Sequence, residues 1–347
     1  MKALNRIYSC FLCLMMFFPL PAQESAHFGA AKYAPEDGKK LLILGQDLGA
    51  VGGLNAYRQG YVDAMDHVPA GVTSYTGLPA MNALTDLANW GAGDLKAQLY
   101  LKERRFDNSF MVIGLWMVGQ EAAVGQGAHD KAIRRLGTWI KKAKRPVFLR
   151  IGYEFDGPWN NYSPADFIQA WKRIVSIFDN QGIKNCAFVW QSAGIPDTDF
   201  QSWYPGDEYV NWVAYSLFSG IGQGDKMLAF ARRHDKPVMI AESTPRGKNL
   251  RTGNGLSIWN NWFSPYFTSI YAHDEIKAVH YINANWDSQK MWIGQEWGDS
   301  RIQVDSLINE RWNIEMAKSS WIMASENLFR KLGYDVKRGF IKEGGNK

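Results

Sequence analysis

Residues 146–155 read Pro-Val-Phe-Leu-Arg-Ile-Gly-Tyr-Glu-Phe, a β-type run with an arginine and a glutamate set into it. Successive side chains of a strand point to opposite faces, so Val147, Leu149, Ile151 and Tyr153 share one face and Phe148, Arg150, Gly152 and Glu154 the other. The purely apolar side suits a covering layer of helices. The other side suits the axis of a closed barrel, with Glu154 at its rim. An acid ending an apolar inner strand is costly unless it has a role.

Similar runs recur on both sides of this one, at Leu41 to Leu44, Val72 to Thr76, Phe110 to Met117, Cys186 to Gln191, Trp212 to Phe218, Pro237 to Glu242 and Ile276 to Ile282. Amphipathic stretches separate them. The clearest covers Ser163 to Gln181, where Ser163 caps, Pro164 takes the first helical position and Gly182 ends the element. Phe167, Ala170, Trp171, Ile174 and Phe178 mark its buried face. Further helices are expected over Leu54 to Asp66, His129 to Lys144, Asp225 to His234 and Trp259 to Tyr271. Eight strands alternating with helices predict an α/β fold, a single (β/α)8 TIM barrel. An open doubly wound sheet is the competitor, but Gly45-Gln46-Asp47-Leu48-Gly49 lacks the G-x-G-x-x-G phosphate turn.

The first 22 residues form a separate unit. Lys2 and Arg6 precede the uncharged apolar stretch Ile7 to Leu20, which ends at Pro21-Ala22, the pattern of a secretory signal peptide. The expected organisation is a signal peptide over 1–22, an extension over 23–40 and a catalytic barrel over 41–340, in a secreted or periplasmic protein. Cleavage removes Cys10 and Cys13 and leaves Cys186 alone, so core burial rather than a disulfide must stabilise the mature chain. Loss of Lys2 and Arg6 takes the net charge from +5 to +3, too mild and too dispersed for nucleic acid. No later apolar run is long enough to span a membrane. Of the 347 residues, 15 are Trp, more indole than a core of this size needs.

In a barrel the working residues stand at the C-terminal ends of the strands. The seventh run, Pro237-Val-Met-Ile-Ala-Glu-Ser-Thr244, also ends in a glutamate. Glu242 is assigned to the axis together with Val238 and Ile240. Glu154 and Glu242 can then converge over one bond, the pair of carboxylates that glycoside hydrolysis requires. Arg150 lies one pleat below Glu154, placed to hold a carboxylate ionised. Asp156, Trp159 and Asn160 follow Glu154 directly, while Trp116, Trp190, Tyr215 and Trp286 end strands three, five, six and eight. Flat aromatic faces stack on pyranose rings, and these residues, with Asp47 in the turn after strand one, form the expected substrate-binding set. The six histidines show no zinc-binding spacing, and neither a G-x-S-x-G elbow nor a nicotinamide fingerprint is present. No metal or cofactor is expected. Cys186 and His280 read as core residues.

The segments Arg150 to Asn160, Ile183 to Trp190, Trp203 to Trp212 and Lys236 to Glu242 resemble the clan A retaining glycoside hydrolases, closest to glycoside hydrolase family 26, over roughly residues 41 to 335. The resemblance implies a Glu acid/base matching Glu154, a Glu nucleophile matching Glu242, a strand-six Tyr matching Tyr215 and a cleft-flooring Trp matching Trp286. One position departs: the family has His, and its wider clan Asn, directly before the acid/base, where this chain has Tyr153. That points to a family 26-like branch. The expected activity is retaining, endo-acting hydrolysis of a β-linked polysaccharide of the mannan or xylan type by a monomer, its carboxyl groups ~5 to 5.5 Å apart. Two alternatives remain open at this point, a hydrolase of sulfated or anionic algal polysaccharide and a non-catalytic glycan-binding barrel.

Overall fold

A computed structural model describes residues 31–337 and the backbone of Gly339 and Phe340. The export signal over 1–22 and the first part of the extension lie outside the described residues. Eight parallel strands form the barrel: β1 (Lys40–Gly45), β2 (Gly71–Gly77), β3 (Phe110–Trp116), β4 (Val147–Ile151), β5 (Cys186–Ser192), β6 (Trp212–Leu217), β7 (Val238–Ser243) and β8 (Ile276–Ile282). Neighbours pair in chain order, and β8 closes onto β1 with Leu41 opposite Ala278 and Gly45 opposite Ile282. The barrel expected from the alternating runs is the fold observed.

Alternation builds two packed layers. Leu41, Ile43, Val112, Phe148, Val189, Trp212, Ala214 and Met239 fill the barrel interior. Leu42, Ile113, Leu149, Ile151, Phe188, Val213 and Ile240 face the helices, where Phe167, Trp171, Ile174 and Phe178 of the helix Pro164–Asn180 meet them. The end of the barrel opposite the strands' C-termini is plugged from both chain ends. Tyr33 packs on Phe148 at 5.7 Å, the Trp212 indole donates to the Lys32 carbonyl at 2.7 Å, and Leu328 and Leu332 join the same cluster. With that end sealed by apolar side chains, only the rim at the strands' C-terminal ends is open for chemistry.

Three local expectations are corrected. The helix expected over Leu54 to Asp66 is one turn, Tyr61–Ala64, because Asn55, Arg58, Gln59 and Gly60 give a helix no continuous apolar face. β4 stops at Ile151 rather than running to Phe155: Gly152 turns to φ +50°, where a Cβ would lie 2.6 Å from the Met117 methyl. Alternation ends there, so Tyr153 faces the cleft instead of the helices. In β7, Val238 and Ile240 point to the helices and Met239 and Ala241 to the axis, the reverse of the assignment made from alternation. A bulge rescues the glutamate: Tyr215 pairs with Ile240 but Ser216 pairs with Glu242, leaving Ala241 as the extra residue. Bulges next to active sites re-aim a side chain in this way.

Candidate active site

The two glutamates stand at one cleft of about 600 Å³ above the barrel, each about 8% exposed, in different surroundings. Glu242 Oε1 accepts from Arg150 Nη1 at 2.7 Å and from the Tyr75 hydroxyl at 2.9 Å. Arg150 is fully buried and inward-facing on β4. Its Nη1 also reaches Gln191 Oε1 at 3.0 Å and the Ala241 carbonyl at 3.2 Å, and its guanidinium lies 5.0 and 5.1 Å from the rings of Tyr75 and Tyr153. β3 makes room for this stack with Gly114, where a Cβ would sit 2.5 Å from Tyr75 and 3.1 Å from Arg150. A buried cation in direct contact favours the ionised form of its carboxylate partner.

Among the described residues no cation touches Glu154. Ser216 Oγ donates to its Oε1 at 2.6 Å and the Trp159 indole to its Oε2 at 3.1 Å. Burial, and then the charge of Glu242, push its pKa up to about 8, against the smaller pull of Ser216, Arg150 and Trp159. Its backbone is left-handed at φ +56°, a conformation that costs a non-glycine residue ~1–3 kcal/mol and is typical of functional positions. Asn160 holds that turn through bonds from Nδ2 to the carbonyls of Glu154 at 2.8 Å and Tyr153 at 3.1 Å. A carboxylate in contact with a buried guanidinium and a neighbouring carboxyl raised by burial stand in surroundings different enough to divide nucleophile and acid roles between them.

The structure sorts the expected substrate-binding residues. Trp116 and Trp159, 44% and 61% exposed, present indole faces along the cleft. Trp286 lies buried in its lining, fixed by bonds from its indole to Ser300 Oγ at 3.0 Å and Thr244 Oγ1 at 3.3 Å. Asp156 and Asp47 are scaffolding instead. Asp156 ties the turn after β4 to the loop after β5 by accepting from Ser192 Oγ, the Ala193 amide and Thr198 Oγ1, each at 2.6 Å. Asp47 caps the turn Leu48–Val51 through the Gly49 and Ala50 amides and accepts from Gln289; burial raises its pKa to about 6.

Trp190 and Tyr215 do not reach the cleft. Trp190 is stacked on Phe155 at 4.3 Å within the helix shell, and the Tyr215 ring covers Gly224 on the same outer side. Their strands alternate the other way: Ala187, Val189, Trp212 and Ala214 are interior, so Gln191 and Ser216 are the residues that meet the glutamates. The same parity, counted along each strand, would have located both, and Tyr75 on β2. Gln46, Arg246, Trp292 and Trp297 also line the cleft, on loops whose paths no periodicity reveals. Cys186 is buried with its thiol pushed up to about 12 by burial, and His280 is buried and pushed down to about 3 by burial and by Arg150.

Comparison with known proteins agrees with this architecture. The model of glycosyl hydrolase family 26 matches residues 127–248, which hold β4 through β7. A β-1,3-xylanase from Alcaligenes sp is 33% identical over 338 residues, spanning 89% of this chain and 70% of that protein. The β-1,3-xylanase TXYA of Vibrio sp is 32% identical, spanning 89% and 71%. Among solved structures, a GH26 β-mannanase from Bacteroides ovatus superposes with a TM-score of 0.57 at 15% identity, over 84% of this chain and 93% of that one. GH26C from Muricauda sp. MAR_2010_75 gives 0.60 at 15% identity, over 84% and 90%. Barrel, cleft and relatives together define a glycoside hydrolase. The chain belongs to glycoside hydrolase family 26.

Proposed function

We propose that the protein is an endo-acting β-1,3-xylanase that works by retaining double displacement. The observation that carries the mechanism is the contrast between the two carboxyl groups: Glu242 against Arg150 and Tyr75, Glu154 raised to about 8 beside a serine and an indole. In the first step Glu242 attacks the anomeric carbon as the glycosidic C–O bond breaks, and the Glu154 proton passes to the leaving oxygen. In the second step Glu154 takes a proton from water, whose oxygen attacks the same carbon and releases Glu242. Trp116 and Trp159 supply stacking faces along the chain, and Trp286 the floor beneath the cleaved sugar.

The linkage is inferred from the relatives named β-1,3-xylanase, both matched over 89% of the chain, and from Tyr153. Tyr153 presents a phenol beside Arg150 at the position where the resemblance to the family implies His. The segment over 1–22 suits export, and one monomeric barrel over 41–340 suffices for the reaction. Purified mature protein offered β-1,3-xylan, β-1,4-xylan, β-mannan and a sulfated algal galactan decides the substrate. Release of xylo-oligosaccharides from β-1,3-xylan alone is the expected result; cleavage of β-mannan or the sulfated glycan in its place overturns the assignment.

A further inference from the structure

We propose that Ser216 and Gln191 are positioning residues, a buried hydrogen-bond bridge that fixes which oxygen of Glu154 carries the acid proton and supplies a donor to the carboxylate once that proton has left. This rests on Glu154 and Glu242 being the acid/base and the nucleophile. The bridge runs from one carboxyl group to the other without a break. Arg150 Nη1 donates to Glu242 Oε1 and to Gln191 Oε1, Gln191 Nε2 donates to Ser216 Oγ at 3.0 Å, and Ser216 Oγ donates to Glu154 Oε1 at 2.6 Å. Arg150, Gln191 and Ser216 are fully buried.

The polarity of the bridge follows from its first member. A guanidinium has donors and no acceptor, so the Gln191 carbonyl must face Arg150 and its NH2 must face Ser216. The Ser216 oxygen, already accepting from Gln191, turns its hydrogen to Glu154 Oε1. Both oxygens receive a donor, Oε1 from Ser216 at 2.6 Å and Oε2 from the Trp159 indole at 3.1 Å. The shorter bond marks Oε1 as the better acceptor, so a protonated Glu154 carries its hydrogen on Oε2, which still accepts from the indole while donating into the cleft, where a leaving group can receive it. After transfer the same Ser216 hydrogen bonds a carboxylate, and bonds to a charged acceptor are the stronger kind. Three other groups bear on the charge of Glu154: the Glu242 carboxylate from β7, the Arg150 guanidinium from β4 and the Tyr153 hydroxyl from the turn after β4.

Trp159 makes the test independent of any substrate, because its indole N–H bonds Glu154 Oε2 and the indole Nε1–H resonance in a 15N–1H NMR titration follows the protonation of that group. In Ser216→Ala, folded as judged by an unchanged near-UV spectrum, the titration midpoint rises by about one to two pH units, and the alkaline limb of kcat/KM rises with it. Ser216→Thr, which keeps the hydroxyl, restores both. Gln191→Met moves both in the same direction, and the double variant moves no further than Ser216→Ala, because either change breaks the one bridge. An unmoved Trp159 midpoint in an active Ser216→Ala protein, or strictly additive shifts, overturns the bridge and leaves the catalytic assignment standing. The expected titration shift in a protein that hydrolyses no glycan overturns the catalytic assignment instead, and with it the bridge's role in the reaction.

Discussion

Replacing Arg150 by Met isolates the interaction that sets Glu242 apart from Glu154. The guanidinium is wholly buried and, among the described residues, gives Glu242 its one cationic contact, at 2.7 Å, while Tyr75 supplies a second bond at 2.9 Å. Methionine fills much of the space between the rings of Tyr75 and Tyr153, so the main loss is charge. Removing one partner of a buried ion pair leaves the other uncompensated, a cost of ~3–5 kcal/mol. Glu242 relieves part of it by taking up a proton, and at ~1.4 kcal/mol per pH unit that energy can move the acid limb of the activity profile up by about two to three pH units. Wherever the pH lies below both limbs, kcat/KM falls tenfold per unit of that displacement, about 10²- to 10³-fold in all, and the deficit closes as pH rises through the variant's limb. The assay is the initial rate on an aryl glycoside whose phenolate departs without acid help, so that Glu154 drops out of the first step, measured from pH 5 to 9 beside urea unfolding at each end. Variant activity should climb with pH while wild type stays level. An unmoved acid limb with stability within ~0.5 kcal/mol of wild type would refute the reasoning.

Three further outcomes follow from the same geometry. With Glu154 as the acid raised to about 8, kcat/KM on polysaccharide should be full below that pH and fall as pH rises through it, a limb reported by the carboxyl pair as a unit; a fall complete by pH 6 would show Glu154 ionised in the free enzyme. Gly114→Val drives side-chain atoms into Tyr75 and Arg150, displacing Glu242, and should lower kcat about 10²-fold, read by single-turnover kinetics on protein that remains folded. Trp116→Ala should raise KM about tenfold with little change in melting temperature, whereas Trp190→Ala should leave KM unchanged and destabilise by ~3–5 kcal/mol, because one indole faces the cleft and the other the helix shell.

The fold was legible because buried parallel strands write themselves as short β-type runs, and seven of the eight match their runs to within about two residues at either end. The fourth overran, since Gly152 ends β4 by a left-handed turn that no propensity announces. Glu154 and Glu242 were legible as acids closing apolar runs, yet the reason given for Glu242 was wrong. Val238 and Ile240 face outward, and the bulge at Ala241 turns the glutamate inward. Trp190 and Tyr215 were misplaced by reading strand ends for aromatic character alone, where parity along β5 and β6 selects Gln191 and Ser216. Arg246 and Trp297 were hidden because loops after β7 and β8 carry them, and tertiary packing alone decides which way such loops fold. The Trp surplus divides between roles: Trp90, Trp116, Trp159, Trp286, Trp292 and Trp297 line the cleft, and Trp171, Trp190, Trp212 and Trp312 are fully buried core.

The central claim is that Glu242 and Glu154 act in two successive displacements at one anomeric carbon. Proton NMR of the reducing end released in the first minutes of β-1,3-xylan hydrolysis, before mutarotation, tests it directly. Two inversions give the β-anomer first, with the α-anomer appearing only as the sugar equilibrates. A first-formed α-anomer would mean a single displacement by water, and would contradict the nucleophile role of Glu242.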